Sequence, residues 1–172
     1  MPFLLIIAGP NGAGKTTFAR RLSAQHPDVV FVNADEIARD LPADVRGAAR
    51  NLRAGRDMIE ALQAHIEARA DIFLETTLAT RRYLTAIPQW RAIGYEVDLY
   101  YLRLPDPEAA VARVQRRAAL GGHSIPPDDI RRRFARSLAY LDAYKPIVNA
   151  WYIFDIKEGD PEFVLGGENH GP

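Results

Sequence analysis

Short apolar runs alternate along the chain with longer segments in which apolar residues recur every three or four positions. The short runs predict strands, and the longer periodic segments predict helices. The predicted strands are 3–8, 29–33, 72–76, 97–102 and 151–156, and the predicted helices are 15–24, 34–39, 47–70, 81–93, 107–120 and 127–144. The tail after Lys157 is expected to add a short edge strand and then to fray. This alternation predicts an α/β fold in which helices cover a parallel sheet.

The composition is that of a globular domain. Hydrophobic residues make up 48% of the 172 residues, charged residues make up 26%, and 22 basic side chains balance 22 acidic ones. These values exclude a disordered chain, a collagen and a membrane protein. A chain of this length buries roughly 70% of the surface that its unfolded form exposes. Since no repeat, low-complexity stretch or linker interrupts the pattern, residues 1–172 are expected to form a single domain.

Several kinds of site and location are excluded by what the sequence lacks. The chain has no cysteine, which excludes a thiol nucleophile, a zinc–cysteine site and a redox centre. Its four histidines lack metal-ligand spacing. The apolar run at the N-terminus has no basic residue before it and no cleavage site after it, and no stretch is apolar and long enough to span a bilayer. We therefore expect a cytoplasmic protein without a membrane partner.

A phosphate-binding motif lies between the first predicted strand and the first predicted helix. The segment reads G-P-N-G-A-G-K-T and fits the pattern G-x-x-x-x-G-K-[ST]. Its glycines let successive backbone N–H groups point at phosphate oxygens, and the following helix adds its positive end. Lys15 is expected to reach the β- and γ-phosphates and the Thr16 hydroxyl to hold Mg²⁺, so ATP and Mg²⁺ are the predicted cofactors. The residues expected to surround the nucleotide are Gly9, Pro10, Asn11, Gly12, Ala13, Gly14, Lys15, Thr16 and Thr17.

Missing motifs narrow the class of phosphate-loop (P-loop) protein. A GTPase would carry N-K-x-D after the fourth or fifth strand, and a transporter ATPase would carry L-S-G-G-Q, and the chain has neither. The chain is also short for a ring-forming ATPase with a helical lid domain. What remains is a small phosphotransferase, which needs an acceptor site, a base and an arginine-bearing lid. We expect the P-loop NTPase three-layer sandwich with the kinase strand order 2-3-1-4-5.

Ligands of parallel α/β sheets bind beyond the carboxyl ends of the strands. Polar residues at or just after predicted strand ends therefore fall at the functional edge. They are Asn33, Asp35, Glu36, Glu75, Thr76, Thr77, Arg103 and Asp155.

Carboxylates after the second and third strands are candidates for acceptor chemistry. Asp35 is the predicted base, because it could take the proton from an acceptor hydroxyl. The alternative is a helix start with Asn33 as N-cap and Glu36 as its capping-box partner. Glu75 is expected beside the phosphate loop if the third strand neighbours the first, where it could bind acceptor hydroxyls or a metal-bound water. Thr76 or Thr77 would donate further hydrogen bonds there, and the alternative is an ordinary polar strand end.

Positive charge is concentrated late in the chain. Seven arginines lie at 113, 116, 117, 131, 132, 133 and 136, against only Asp128 and Asp129 in this region. The segment G-G-H-S-I-P-P breaks the region into two helices, which predicts a helical lid at about 113–136. Closing the lid would bring arginines onto the transferred phosphoryl group, and Arg117 and Arg133 are the predicted pair. Alternatively, these arginines lie on solvated helix faces or form a surface that binds nucleic acid. The scarcity of nearby aromatic residues argues against nucleic-acid binding.

The ordered set of these motifs resembles the zeta-toxin type of P-loop kinases. The resemblance is carried by the phosphate loop, N-A-D-E-I at 33–37, E-T-T-L at 75–78, and the arginine region around G-G-H at 121–123. It covers most of the chain. Larger zeta toxins carry extra helical segments that this chain lacks, and after the fifth strand the chain reads F-D-I-K where an Asp-Asn pair would be expected.

The resemblance implies specific roles and partners. It implies Lys15 on the phosphates, Asp35 as base, Glu75 at the acceptor, and Arg117 with Arg133 as the lid pair. It also implies UDP-N-acetylglucosamine, phosphorylated on its sugar, as the acceptor, and an antitoxin protein as a partner.

The sequence therefore predicts an ATP-dependent kinase that acts on a small hydroxyl acceptor. A second interpretation is a nucleotide or polynucleotide-end kinase, in which the basic lid binds a phosphodiester. An ATP-controlled binding module with slow hydrolysis and no acceptor is a third.

Overall fold

A computed structural model of the chain describes residues 1–34, 36–37, 47–122, 124–157 and 160–169. The strands are β1 (Phe3–Ala8), β2 (Val30–Asn33), β3 (Ile72–Thr76), β4 (Glu96–Arg103), β5 (Ala150–Lys157) and β6 (Asp160–Glu168). The helices are α1 (Lys15–Gln25), α2 (Gly47–Glu67), α3 (Arg82–Ala92), α4 (Pro107–Ala119) and α5 (Pro127–Tyr144), followed by a 3₁₀ turn at Lys145–Ile147. These elements confirm the predicted alternation, and most of the helix predicted at 34–39 lies outside the described residues.

The strands form one sheet in the order β2-β3-β1-β4-β5-β6. The first five are parallel and have the predicted order, and β6 is antiparallel to β5. Because β3 and β4 both pair with β1, the carboxyl ends of the three strands lie next to the phosphate loop. The apolar runs predicted the strands, and the kinase strand order expected from the phosphate-loop motif predicted their arrangement.

The edge strand β6 is longer than the short one expected after Lys157. Two glycines of the tail that was expected to fray, Gly166 and Gly167, lie inside this strand and under aromatic rings of β5. A Cβ on Gly166 would come within 2.8 Å of the Tyr152 ring, and one on Gly167 within 2.9 Å of the Trp151 ring. The glycines therefore let the strand continue beneath rings that a larger side chain would displace.

Both faces of the central strands are buried under helices. On one face α1 packs through Ala19 and Phe18 against Ile7 and Phe73. On the other face α2, α3 and the last turns of α5 pack against an apolar layer. The residues of this layer include Leu4, Ile6, Leu62, Leu74, Ile87, Leu99, Leu141 and Tyr144. Burial on both faces explains why β1 and β3 read as continuous apolar runs, and it leaves the strand ends as the place for polar chemistry.

Candidate active site

The phosphate loop leaves β1 at a position that only glycine can occupy. Gly9 has φ +142°, and a Cβ there would lie 2.3 Å from the carbonyl oxygen of Leu102 at the end of β4. The loop is closed by a hydrogen bond of 3.2 Å from the Ala13 N–H to the Pro10 carbonyl. Helix α1 begins directly after Gly14, and its first turn contains no acidic side chain. The positive end of α1 therefore faces the loop without a neighbouring carboxylate in that turn.

Lys15 is held over the loop that precedes it. Its side chain is buried, with 7% of the residue exposed, and its Nζ donates a hydrogen bond of 2.9 Å to the Pro10 carbonyl. A buried ammonium group at the start of a helix is placed to bind a phosphate oxygen. The phosphate-binding role of Lys15 stays a prediction.

A hydrogen-bonded chain connects the loop to the ends of β3 and β2. The Thr16 hydroxyl donates to Oε1 of Glu75 at 3.0 Å, and the Asn33 side-chain amide donates to Oε2 of the same carboxylate at 2.5 Å. Glu75 is 9% exposed and Asn33 is 5% exposed. The structure thus brings Glu75 beside the loop, as expected from its place at the end of the third strand. The Glu36 carboxylate forms an ion pair with the Arg20 guanidinium, with Oε1 and Nη2 3.0 Å apart.

The segment after β3 forms a tight turn. The Thr76 hydroxyl oxygen accepts a hydrogen bond of 3.1 Å from the Leu78 N–H, and Leu78 is buried with φ +59°. Burial raises the pKa of the neighbouring Tyr83 to about 12, although a hydrogen bond with Thr76 acts in the opposite direction. Thr76 is therefore part of the turn that fixes the end of β3, and Thr77 lies half-buried in the same turn.

Asp35, the predicted base, lies outside the described residues, and so does His123 of the predicted lid. The role of Asp35 stays a prediction. Its chain neighbour Ala34 directly follows Asn33, the last residue of β2.

Helices α4 and α5 form the basic hairpin, defined here as residues 107–144. The break between Ala119 and Pro127 lies where the sequence predicted it. Val114, Ile130 and Phe134 are buried in an apolar cluster with Ala13 of the phosphate loop. Farther along α5, buried Ser137 is hydrogen-bonded to Tyr101 of β4 at 2.8 Å. The base of the basic hairpin is thus packed against the loop and the sheet.

The arginines of the basic hairpin fall into different environments. Arg131 forms ion pairs with Glu108 at 2.8 Å and Asp128 at 2.9 Å, and Arg132 pairs with Asp129 at 2.8 Å. The Arg113 guanidinium donates to the Gly12 carbonyl of the phosphate loop at 3.4 Å, a contact that the sequence did not reveal. Among the described residues, no carboxylate is within ion-pair distance of the remaining four, which are Arg116, Arg117, Arg133 and Arg136.

A cavity of about 410 Å³ opens beyond the ends of β4 and β5. Its lining residues are Arg103, Leu104, Pro105, Asp155, Ile156 and Lys157. The Arg103 guanidinium donates hydrogen bonds to both carboxylate oxygens of Asp155, at 2.6 and 3.0 Å. These hydrogen bonds hold the pKa of the Asp155 carboxyl below its usual range. The sequence predicted both residues at the functional edge but not that they form a pair. The β4–β5 register places them side by side on neighbouring strands.

The residues at the loop fit a Mg²⁺–nucleotide complex. Hydroxyl and carboxylate oxygens, which Mg²⁺ prefers, meet at Thr16 and Glu75. No group of three or more His, Cys, Asp or Glu side chains in the described ranges could hold a metal ion. When Mg²⁺ binds with a nucleotide, protein side chains typically supply one or two oxygens and phosphate supplies others.

A family model described as an AAA domain matches residues 4–142, from β1 to α5. The chain belongs to this family. The matched family is described as a domain, without any statement on oligomeric assembly. That this chain is not a ring-forming ATPase therefore stays a prediction. None of the helices in the described part of the chain is long and apolar enough to cross a membrane.

Two relatives match over most of their lengths. An uncharacterized protein of Haemophilus influenzae is 28% identical over 131 residues, which are 76% of this chain and 91% of that protein. An adenylate kinase of Clavibacter michiganensis subsp. michiganensis is 28% identical over 165 residues, which are 86% of this chain and 78% of that protein.

Solved structures share the fold. A structure of the PezAT toxin–antitoxin system of Streptococcus pneumoniae has a TM-score of 0.69 at 17% identity, covering 96% of this chain and 72% of that chain. The AvrRxo1-ORF1:-ORF2 structure with ATP has a TM-score of 0.72 at 17% identity, covering 96% of this chain and 58% of that one. The Pnkp1/Rnl/Hen1 RNA repair complex has a TM-score of 0.65 at 22% identity, over 82% of this chain and 45% of that one. These likenesses confirm the zeta-toxin-like P-loop kinase fold.

Proposed function

We propose that this chain transfers the γ-phosphate of ATP to a hydroxyl group of a small acceptor. The observation that carries the proposal is the chain of hydrogen bonds from Thr16 through Glu75 to Asn33. It joins the phosphate loop to the ends of β2 and β3, where an acceptor would meet the γ-phosphate.

In this proposal, each candidate site residue has its own role in the transfer. Lys15 and the loop N–H groups bind the phosphates, and Thr16 would hold Mg²⁺, which supplies neutralisation of phosphate charge when bound. Asp35 would take the proton from the acceptor hydroxyl as its oxygen forms a bond to the γ-phosphorus. The bond from that phosphorus to the β-phosphate oxygen breaks, and ADP leaves. Arg117 and Arg133 would stabilise the charge that moves to the leaving oxygen.

UDP-N-acetylglucosamine is the first acceptor to test, on the resemblance to zeta toxins. The experiment incubates the protein with γ-labelled ATP, Mg²⁺ and UDP-N-acetylglucosamine and looks for labelled sugar nucleotide. We expect transfer by the wild type, loss of nucleotide binding and transfer in Lys15→Ala, and intact binding without transfer in Asp35→Asn. Full transfer by Asp35→Asn would remove the base assignment, and nucleotide binding without any labelled product would exclude this acceptor.

A protein partner is a further part of the proposal. Two of the similar structures are of two-protein systems, PezAT and AvrRxo1-ORF1:-ORF2. On that likeness we propose an antitoxin-like protein that binds this chain and suppresses transfer.

A polynucleotide-end kinase is the second candidate, favoured by the four arginines of the basic hairpin that lack carboxylate partners among the described residues. The Pnkp1/Rnl/Hen1 likeness is consistent with it. Binding of an oligonucleotide by such arginines would weaken steeply with salt. Absence of oligonucleotide binding at low salt would exclude this candidate.

A further inference from the structure

Asn33 and Glu75 are side-by-side partners at the ends of two parallel strands. The β2–β3 register pairs them directly, and both are among the buried polar residues of the chain. The preceding residue, Val32, is buried with 3% exposed, so the backbone that carries Asn33 is anchored in the sheet. The amide of Asn33 is therefore presented to Glu75 from a fixed strand and not from a loop.

Hydrogen-bond chemistry defines which atom of Asn33 faces the carboxylate. An ionised carboxylate only accepts, so the group 2.5 Å from Oε2 is the Nδ2 of the amide. Aspartate at this position would place two carboxylates in contact, and leucine would fill the space without a donor. Asparagine combines a donor with the short length that the strand spacing allows.

The two oxygens of Glu75 are held by different elements. Asn33 of β2 donates to Oε2, and Thr16 of α1 donates to Oε1. A carboxylate held at one oxygen only could rotate about its terminal bond. With Oε2 fixed to the sheet, Oε1 is directed at the hydroxyl that is expected to bind Mg²⁺.

We infer that Asn33 is a positioning residue, which acts by orienting Glu75 toward Thr16 and the phosphate loop. The inference rests on the proposed phosphotransfer. It assigns Asn33 no contact with ATP or acceptor. Loss of a buried partner that orients a ligand or its neighbour typically costs about 10- to 100-fold in metal affinity or activity.

The test compares Asn33→Leu with Asn149→Leu. Asn149 is a matched control, because its side chain accepts a hydrogen bond of 2.9 Å from the Val97 N–H at the opposite end of β4. Three quantities are measured for each protein: the affinity for a non-hydrolysable ATP analogue with and without Mg²⁺, the melting temperature, and kcat and KM for release of label from γ-labelled ATP.

For Asn33→Leu we expect the gain in analogue affinity that Mg²⁺ provides to fall about tenfold, and kcat to fall about 10- to 100-fold. Affinity without Mg²⁺ should change by less than about threefold, whereas the KM for Mg²⁺–ATP should rise in line with the lost Mg²⁺-dependent affinity. Asn149→Leu should lower the melting temperature and leave the Mg²⁺ response unchanged. A Mg²⁺ response in Asn33→Leu equal to that of the wild type would overturn the inference.

A double-mutant cycle with Glu75→Ala checks the route of the effect. If Asn33 acts through Glu75, Asn33→Leu has no added effect on kcat in the Glu75→Ala background. Additive losses would show that Asn33 acts by another route and would overturn the inference. If Asn33→Leu does not fold, Asn33→Ala, which removes the donor without adding bulk, replaces it in both experiments.

Failure of the proposed function has a different signature. If the wild type binds no ATP analogue, or if Lys15→Ala binds it as well as the wild type, then the phosphotransfer proposal fails. If Lys15→Ala abolishes binding and Asn33→Leu leaves the Mg²⁺ response intact, only the positioning role of Asn33 fails.

Discussion

The two flanks of the phosphate loop hold their polar side chains in different ways. On the flank of β2 and β3, Asn33 and Glu75 are buried, and each side chain is hydrogen-bonded to another part of the site. On the flank of the basic hairpin, an apolar cluster and the Arg113 guanidinium contact the loop, and Arg116 and Arg117 lie exposed. The first flank fixes the position of single atoms, whereas the second concentrates charge on a surface whose side chains can reorient.

That difference assigns different tasks to the flanks. In-line transfer requires the acceptor, base and metal ligands at fixed positions, which suits buried groups tied to strands. Charge that develops on phosphate oxygens can be stabilised by arginines that arrive from a helix surface. Since Ser137 ties α5 to β4, only the part of the basic hairpin before Ser137 is available to carry arginines toward the loop.

The largest expected effect comes from the buried flank. Glu75→Gln keeps the shape of the side chain but removes its charge, and we expect phosphate transfer to fall about 100-fold while ATP affinity measured without Mg²⁺ changes by less than about threefold. Steady-state kinetics with labelled ATP and calorimetric titration measure the two quantities. Glu67→Gln is the control, because Glu67 is exposed and pairs with Gln63 on α2. Unchanged transfer in Glu75→Gln would remove the contrast between the flanks.

A smaller effect is expected on the basic hairpin. Arg117→Ala and Arg133→Ala should each lower kcat about tenfold, because neither arginine is engaged by a carboxylate in the described residues. Arg132→Ala should change kcat by less than about twofold, since Arg132 already pairs with Asp129 on the surface. Equal losses in all three variants would mean that net charge, and not particular arginines, is what the hairpin provides.

The smallest effect concerns the cavity beyond β4 and β5. Because Arg103 lowers the pKa of Asp155, the pair stabilises the fold above the unfolded pKa of that carboxyl, and this contribution disappears as pH falls through the folded pKa. Both side chains are about one-third exposed, at 38% and 33%, so Asp155→Asn should cost only about 0.5 kcal/mol at pH 7. Chemical denaturation of both proteins at pH 7 and pH 3 measures the difference. A cost that does not shrink toward pH 3 would contradict the ionic origin.

Sequence patterns revealed those features of the fold that depend on residues close to one another in sequence. Apolar runs located β1 and β3, the glycine-rich motif located the loop, and Glu75 at a strand end was placed beside that loop. The role of Asn33 was not accessible in the same way. An asparagine after a strand is equally suited to cap a helix, and only the register of β2 on β3 brings its amide to Glu75.

The same limit explains the basic hairpin and the edge strand. Arg131 was one of several equivalent arginines until the hairpin brought Glu108, 23 positions earlier, within 2.8 Å. Gly166 and Gly167 read as a fraying tail because their use depends on rings that belong to another strand. In each case the deciding neighbour is distant in sequence, which local propensity does not encode.

The central place of β1 in the sheet has a consequence for how the protein is made. β1 leaves the ribosome before β3 and β4, the two strands that flank it in the sheet, and its Phe3 N–H donates a hydrogen bond to Asp71, 68 residues later. At translation rates of about 5–20 residues per second, about 3–14 s pass before that partner is synthesised. Throughout that interval the apolar run of β1 has no strand to pair with. We expect the nascent chain to form the central part of the sheet only after β3 emerges.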